Sequence, residues 1–465
     1  MNAVSGLEIL SAAPWFDDAA ASELLARSSA EGDADRLLAA IKQSGALVER
    51  AGLWRIPEPL RSDMRRRLYA QDRSAYTDAV GVFVSHAQNG MGSQLNAVMG
   101  PHGAAVNTEV LAFLVGEVRG DSNSALQRLV AVVREDDEKY ESEIAADISR
   151  LLTIYGVGWN RTAAFFMGLS MWARGSRLEA LGHFEAVLDD PRRDIAAAIA
   201  AHLIGVALYG DDLLDDAKER VEQSVSIGRD IGDDKGLVLT LSTLGRVELA
   251  LHNRSRDAGA LERAMSALSE AADLTEDGEI RGRTLQYLAE VHLRSGDIDS
   301  ARRVGYEAID MALRGERAVE ARAAVALIER EAGNDPQYLA LLDDALEIAR
   351  RDQVGGRSLA KLLNMEASSR RRSGDLPAAL ALAKRSLALG RRIKDRRHVA
   401  HAAHTLAAIR IDLVSSAPDI DSEREEVRKL LEESRRTLVR LKDASGVELV
   451  DRTIRRFEET APLHE

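Results

Sequence analysis

The sequence contains no cysteine in its 465 residues. This excludes disulfides, thiolate metal sites and cysteine nucleophiles, and removes any need for an oxidising compartment. Proline is scarce, at 9 residues, and the aromatics number only 4 Trp, 8 Tyr and 7 Phe. Strands are thereby deprived of their preferred residues, whereas Ala, Leu and Arg recur throughout and favour helices. No run of 18 apolar residues occurs, which argues against a membrane-spanning helix. The opening MNAVSGLEILSAAPW lacks the basic region and long apolar stretch of a secretory signal, so the expected location is the cytoplasm. Basic charge is in deficit: 62 Lys and Arg stand against 75 Asp and Glu, a net charge of −13. Such a surface repels a phosphate backbone unless its basic residues are segregated onto one face. What remains is 45% hydrophobic and 29% charged, the mix of a folded chain. These proportions predict an all-α protein.

Catalytic motifs are missing as well. No G-x-x-x-x-G-K-[ST] phosphate cradle occurs, and no Gly-Lys dipeptide exists. The cluster Gly90, Gly92, Gly100 and Gly103 has no lysine and no framing strand, so it reads as a linker. Neither H-E-x-x-H nor G-x-S-x-G is present. His398, His401 and His404 recur every three residues. On a helix this spacing turns each ring by ~60°, so adjacent pairs could share a metal but all three do not easily converge, and no carboxylate has an obvious ligand position beside them. The expectation is no enzyme, no metal and no cofactor.

A repeat organises the chain instead. Gly168 is followed by Gly175, Ala180, Phe184 and Val187, at offsets of 7, 12, 16 and 19. Physically this is a close helix approach at the small residue, a helix-ending glycine, and a second helix striped at i, i+4 and i+7. Good copies start at Gly205, with Ala217, Val221 and Ser224; at Ala289, with Gly296, Ala301, Gly305 and Ala308; and at Ala367, with Gly374, Ala379, Ala383 and Ser386. Looser copies start at Gly245, Ala326 and Ala407, giving successive spacings of 37, 40, 44, 37, 41 and 40 residues. Upstream, Phe113, Gly120, Ala125 and Leu129 keep the offsets, but Phe at the close-approach position makes this a degenerate copy.

These residues resemble the tetratricopeptide (TPR) repeat family, whose period of ~34 is exceeded here by longer helices. The resemblance covers about residues 160 to 445 and implies a right-handed superhelix of about seven helix-turn-helix repeats. The proline late in the family's repeat is mostly missing; Pro191 is the nearest match. The resemblance also implies that certain first-helix positions face a concave groove. Carried over, these are Phe165, Trp172, His202 and Tyr209 at an aromatic end. Arg283, Gln286, Arg330, Lys361, Asn364, Arg371, His401 and His404 make a polar, basic end. Lys and Arg there would take a partner's acidic group or C-terminal carboxylate, while Asn and Gln would bind its backbone. Glu290 and Glu320 stand close enough in sequence to neutralise those cations.

The first residues have another rhythm. Trp15 and Phe16 precede Asp17 and Asp18, a helix N-cap with a hydrophobic staple. A second helix runs from about Asp35 to Gln43, and Ala46 to Ile56 reads as a hairpin turning at Ala51 and Gly52. Pro57 and Pro59 stop it, and a helix bearing Leu60, Met64 and Leu68 follows. This order is similar to the winged-helix unit preceding TPR arrays in bacterial STAND-type regulatory ATPases. Residues 1 to 80 nevertheless carry 10 basic against 12 acidic side chains, and the one basic patch is Arg61, Arg65, Arg66 and Arg67, so nucleic acid is not the expected partner. The expected domains are 1–72, winged-helix-like; 73–158, a helical linker with the degenerate repeat and a bridging helix from Asp136 to Tyr155; 159–445, the solenoid; and 446–465, a capping helix and tail.

The functional expectation is a non-enzymatic protein- or peptide-binding scaffold or sensor, the adaptor of a bacterial regulatory system whose ATPase or effector is separately encoded. The competing reading is a DNA-binding regulator with a peptide-sensing TPR domain.

Overall fold

The computed structural model describes residues 3–28, 34–58, 60–99, 103, 106–113, 122–134, 141–155, 160–312, 314–414 and 419–459. Pro59, Gly100, Gly120, Asp136 and the tail 460–465 lie outside the described residues. The chain packs as two units, Met1–Ile204 and Gly205–Glu465.

The first unit opens with α1 (Ala3–Leu10), α2 (Asp18–Ser28) and α3 (Ala34–Gln43), a two-stranded hairpin of β1 (Val48–Arg50) and β2 (Leu53–Arg55), and α4 (Leu60–Gln71). Asp17 caps α2, its carboxylate accepting from the Ala20 N–H at 2.7 Å. The hairpin pairs Glu49 with Trp54, and Ala51 and Gly52 both take positive φ in its turn. Phe16 extends this sheet by bonding Trp54 in both directions, at 2.9 and 2.8 Å. α1 gives little sequence signal, yet Leu10 at its end is fully buried, as are Ala12 and Ala13 beyond it. α5 (Arg73–Asn89) and α6 (Gly92–Met99) follow, so part of the glycine-rich stretch is helical. Residues 106–113 form α7. α8 (Ser122–Arg134) and α9 (Glu141–Tyr155) lead to the first repeat.

Each of the seven repeats is a helix pair. They are α10 (Asn160–Ala173) with α11 (Arg177–Leu188), α12 (Ile195–Gly210) with α13 (Leu214–Ile231), and α14 (Asp234–Ser255) with α15 (Ala258–Asp273). Then come α16 (Gly278–Ser295) with α17 (Ile298–Met311), α18 (Gly315–Glu331) with α19 (Asp335–Arg351), α20 (Gly356–Arg372) with α21 (Leu376–Arg392), and α22 (Arg396–Leu413) with α23 (Ile420–Arg440). α24 (Ala444–Glu459) closes the order.

The turns explain the sequence pattern. Gly296 and Gly374 end their helices in the left-handed region, at φ of 85° and 83°. The aspartate immediately after each caps the next helix, Asp297 accepting from Ser300 N–H and Asp375 from Ala378 N–H. In the second repeat Asp212 stands at the glycine offset and takes φ 63°. The small residues act as expected: a Cβ on Gly205 would lie 2.5 Å from Val221. The hydrophobic core of the second unit is a chain of clusters, each spanning neighbouring repeats. Its last cluster runs from Ala367 through Leu406 and Leu431 to Val450 and Phe457, so α24 covers the final apolar edge.

Candidate partner-binding face

In the second unit, successive first helices touch one another: α14 meets α16, α16 meets α18, α18 meets α20, and α20 meets α22. The second helices share no comparable contact among the described residues. First helices therefore crowd onto an inner, concave face while second helices splay outside. α24 continues the inner row by packing on α22, and it also touches α14. The row thus curves back on itself. Arg397 reinforces the closure, donating to Asp212 at 2.9 Å and to Asp443, just before α24, at 3.1 Å.

The structure distributes the expected site residues unevenly. Phe165, Trp172 and His202 belong to the first unit, while Tyr209 and the remainder belong to the second. Phe165 is fully buried, edge-on to Phe166 with ring centroids 5.0 Å apart, so it is a core residue and not part of a ligand face. Trp172 is half-buried against Phe184, beneath the Arg177 guanidinium. His202 is half-buried.

Among the basic positions, Arg330 pairs with its neighbour Glu331 at 2.9 Å, and Arg371 pairs with Asp412 at 2.5 Å. Asp412 also holds Arg456 of α24, at 2.9 Å. The two glutamates considered in the sequence do other work: Glu290 meets Arg294, and Glu320 accepts from Ser358. Lys361 is exposed, with no ion pair among the described residues. Gln286 is half-buried. The Asn364 Oδ1 is buried without a hydrogen-bond partner among the described residues.

The histidine stripe is packed rather than open. His398 is buried and shares a hydrogen bond of 2.8 Å with Ser386. His401 lies 3.8 Å from Asp443, and His404 Nε2 lies 2.8 Å from the Thr453 hydroxyl on α24. Burial lowers the pKa of all three; for His404 burial, then the neighbouring His401 and Arg371 charges, bring it to about 4. No group of three or more His, Asp or Glu suited to a metal ion occurs among the described residues.

One constellation was not named from sequence. Arg246 of α14 lies between two aromatic faces, with its guanidinium 5.0 Å from the Tyr209 ring of α12 and 4.9 Å from the Tyr287 ring of α16. Its Nε is buried and unpartnered among the described residues. Arg283, one turn before Tyr287, has neither a hydrogen bond nor an ion pair among the described residues. Burial pushes its pKa below the ordinary arginine value, with Arg317 and Arg246 pushing the same way against Tyr287 and Glu279. The sequence did carry a signal for Arg246. It immediately follows the close-approach Gly245, as Glu290 follows Ala289.

No family profile and no curated protein matches the sequence. Solved structures do. A Rap protein in complex with competence and sporulation factor aligns with a TM-score of 0.51 at 10% identity, over 76% of this chain and 98% of its own. A STAND ATPase with a tetratricopeptide-repeat sensor, from Pyrococcus horikoshii, aligns with a TM-score of 0.51 at 14% identity, over 98% of this chain. The chain has the tetratricopeptide-repeat fold. It spans 65% of the length of that TPR-containing ATPase.

Proposed function

We propose that this chain is a binding module without catalytic chemistry of its own, which holds a peptide or protein segment on the concave face of its second unit. The observation that carries the reading is the row of first helices, α14 on α16, α16 on α18, α18 on α20 and α20 on α22, which forms the layer bearing Asn364 and Gln286. Side-chain amides on such a layer can both donate to and accept from a polypeptide backbone. Gln286 of α16 and Asn364 of α20 place two such amides there. Concave solenoid faces are the usual binding surfaces of such folds. The Rap protein is complexed with competence and sporulation factor, and the repeats of the STAND protein are described as a sensor. Both support a regulatory binding role.

The finer reading is an adaptor that serves an ATPase or effector, since these 465 residues hold no phosphate cradle. A DNA-binding role is disfavoured by Arg61 and Arg65 of the amino-terminal basic patch. Both are buried, and Arg61 donates to the Ala13 carbonyl at 3.0 Å.

Affinity capture with cross-linking mass spectrometry from the native cell tests the proposal. Cross-links from a partner should map to α16–α22 and weaken in the Asn364→Ala, Gln286→Ala protein. Exclusive cross-linking to residues before 195, or steeply salt-dependent binding to random duplex DNA, would overturn it.

A further inference from the structure

We propose that the outward face of α21, with the turn that follows it, docks an acidic helical segment of a partner protein. This surface belongs to the second-helix layer, so it stands or falls separately from the concave-face reading. Acidic residues outnumber basic ones along the chain, yet residues 350–397 hold 14 Lys and Arg against 4 Asp and Glu. Those four acids are already engaged: Asp352 by Arg351, Asp395 by Arg357, and both Glu366 and Asp375 by Arg370 at 3.6 Å. α21 itself contains no acid, whereas every other second helix of the repeats carries at least two. Steps of three and four residues gather its cations on one face, and the only other exposed residues there are Pro377, Ala381 and Ala388. Arg391 meets Glu433 of α23 at 2.8 Å. Lys384, Arg385 and Arg392, with Lys394 and Arg396 beyond them, are exposed and have no ion pair among the described residues.

A helix carboxy terminus attracts cations through its dipole, but the second repeat builds the same turn with fewer of them. Asp233 and Asp395 donate their N–H groups to the Gly228 and Gly390 carbonyls, at 3.0 and 3.1 Å, and each caps the helix that follows. Arg229 and Arg391 each reach the next second helix, through Glu270 and Glu433. Gly232 and Lys394 take equivalent left-handed conformations, at φ of 67° and 58°. Where the second repeat has Asp230 and Gly232, the sixth has Arg392 and Lys394. Lysine is strained in that region and glycine is not, so this turn holds a cation against a backbone cost. The width of the positive face selects its occupant. α19 exposes Asp343 and Glu347 on one side, and α23 carries Glu432 and Glu433 on the other. A helix about 10 to 12 Å across lies along α21 between these flanks. A nucleic-acid duplex, whose major groove alone is about 12 Å wide, would set phosphates against the flanking carboxylates.

The experiment uses the full chain and three fluorescent probes: an alanine-based helical peptide with glutamates along one face, its glutamine counterpart, and random duplex DNA. The glutamate peptide should bind about tenfold or more tightly than the glutamine peptide, and its affinity should fall as salt rises. Variants locate the site. Arg392→Asp with Lys394→Gly gives the sixth turn the residues of the second and should lose most of the preference while keeping the thermal midpoint. A merely structural turn would leave the preference intact. Lys384→Gln with Arg385→Gln should lose the preference as well, and Lys361→Gln, on the first-helix layer, should retain it.

Equal binding of the two peptides, or a preference that survives both double variants, would overturn the docking face while leaving the concave-face reading untouched. Tighter binding of the duplex than of the glutamate peptide at one ionic strength would overturn the choice of a protein partner. A dimer in sedimentation that dissociates in the Lys384→Gln, Arg385→Gln protein would overturn it too, because a second copy of this chain would then fill the face.

Discussion

The Arg397 guanidinium donates to the Asp212 carboxylate at 2.9 Å across a sequence separation of 185 residues. Both residues belong to the second unit, and the contact ties its second repeat to its last. A solenoid whose repeats meet only their sequence neighbours has no such contact. Its strength should be modest, because the Arg397 side chain is 42% exposed. A double-mutant cycle with Arg397→Gln and Asp212→Asn is expected to give a coupling of about 0.5 to 1 kcal/mol at low salt. The coupling should fall as ionic strength rises. A coupling insensitive to salt would mean that the pair is not screened as its exposure implies.

The close-approach glycines should be intolerant for a different reason from the turn glycines. At Gly205 an added Cβ would meet Val221 at 2.5 Å and the Ala217 backbone oxygen at 3.3 Å. Gly205→Ala therefore forces two helices apart and is expected to cost about 1 to 3 kcal/mol. At Gly374 nothing lies within 4 Å of the added atom, but φ is +83°. Gly374→Ala should cost on the order of 1 kcal/mol through backbone strain alone, and Gly374→Asn less, because Asn tolerates that conformation. Urea titrations of the three variants decide this.

Much of the architecture was legible because it depends on backbone requirements that leave few residue choices. Close approach needs Gly or Ala, a left-handed cap favours Gly, and the second-helix stripe needs apolar residues, so Gly168, Gly175 and Ala180 announced a repeat. The candidate face was less legible. Position within a repeat places a side chain on a layer, but pairing is decided in three dimensions. Arg371 and Arg283 both stand on first helices, yet Asp412 on the next first helix claims Arg371 and no acid among the described residues claims Arg283. Phe165 failed as a site residue because the same position in a repeat can point into the core. α1 escaped notice because Gly6, Leu7, Ile9 and Leu10 are all buried, which leaves no polar face for them to alternate with.

Acid should destabilise the last repeats before the surface ion pairs fail. The folded-state pKa of His404 is about 4, below its ordinary value of 6.5, so the unfolded chain binds the proton more readily. Stability from keeping this ring neutral is complete above pH 6.5 and declines as pH falls towards 4. The loss is expected to reach up to about 3 kcal/mol by pH 4. His401 and His398 shift in the same direction and add to it. Asp352, lowered to about 2, loses its contribution only below the ordinary Asp value of 3.8, in a separate window. Chemical denaturation between pH 7 and 4 should show a flatter profile for His404→Gln than for wild type; identical slopes would contradict the assignment.

Phe457 should govern the stability of the carboxy-terminal end. Its ring is 4% exposed, lies in the cluster with Leu406 and Leu431, and is covered by the Arg424 guanidinium at 5.3 Å. Truncating it leaves a cavity at the outer edge of the last repeat. Phe457→Ala is expected to cost about 3 to 5 kcal/mol in the repeats it touches. Solenoid stability is a sum of local and nearest-neighbour terms, so the damage should stay near that end. Hydrogen exchange should accelerate in α22, α23 and α24, while α16 and α17, whose core cluster shares no residue with that of Phe457, keep wild-type protection. The closure between α24 and α14 adds one further consequence. If that contact holds the inner row shut, the first-helix residues of α14 should also lose protection while those of α16 do not. Uniform acceleration along the whole second unit would show instead that it melts as a single cooperative block.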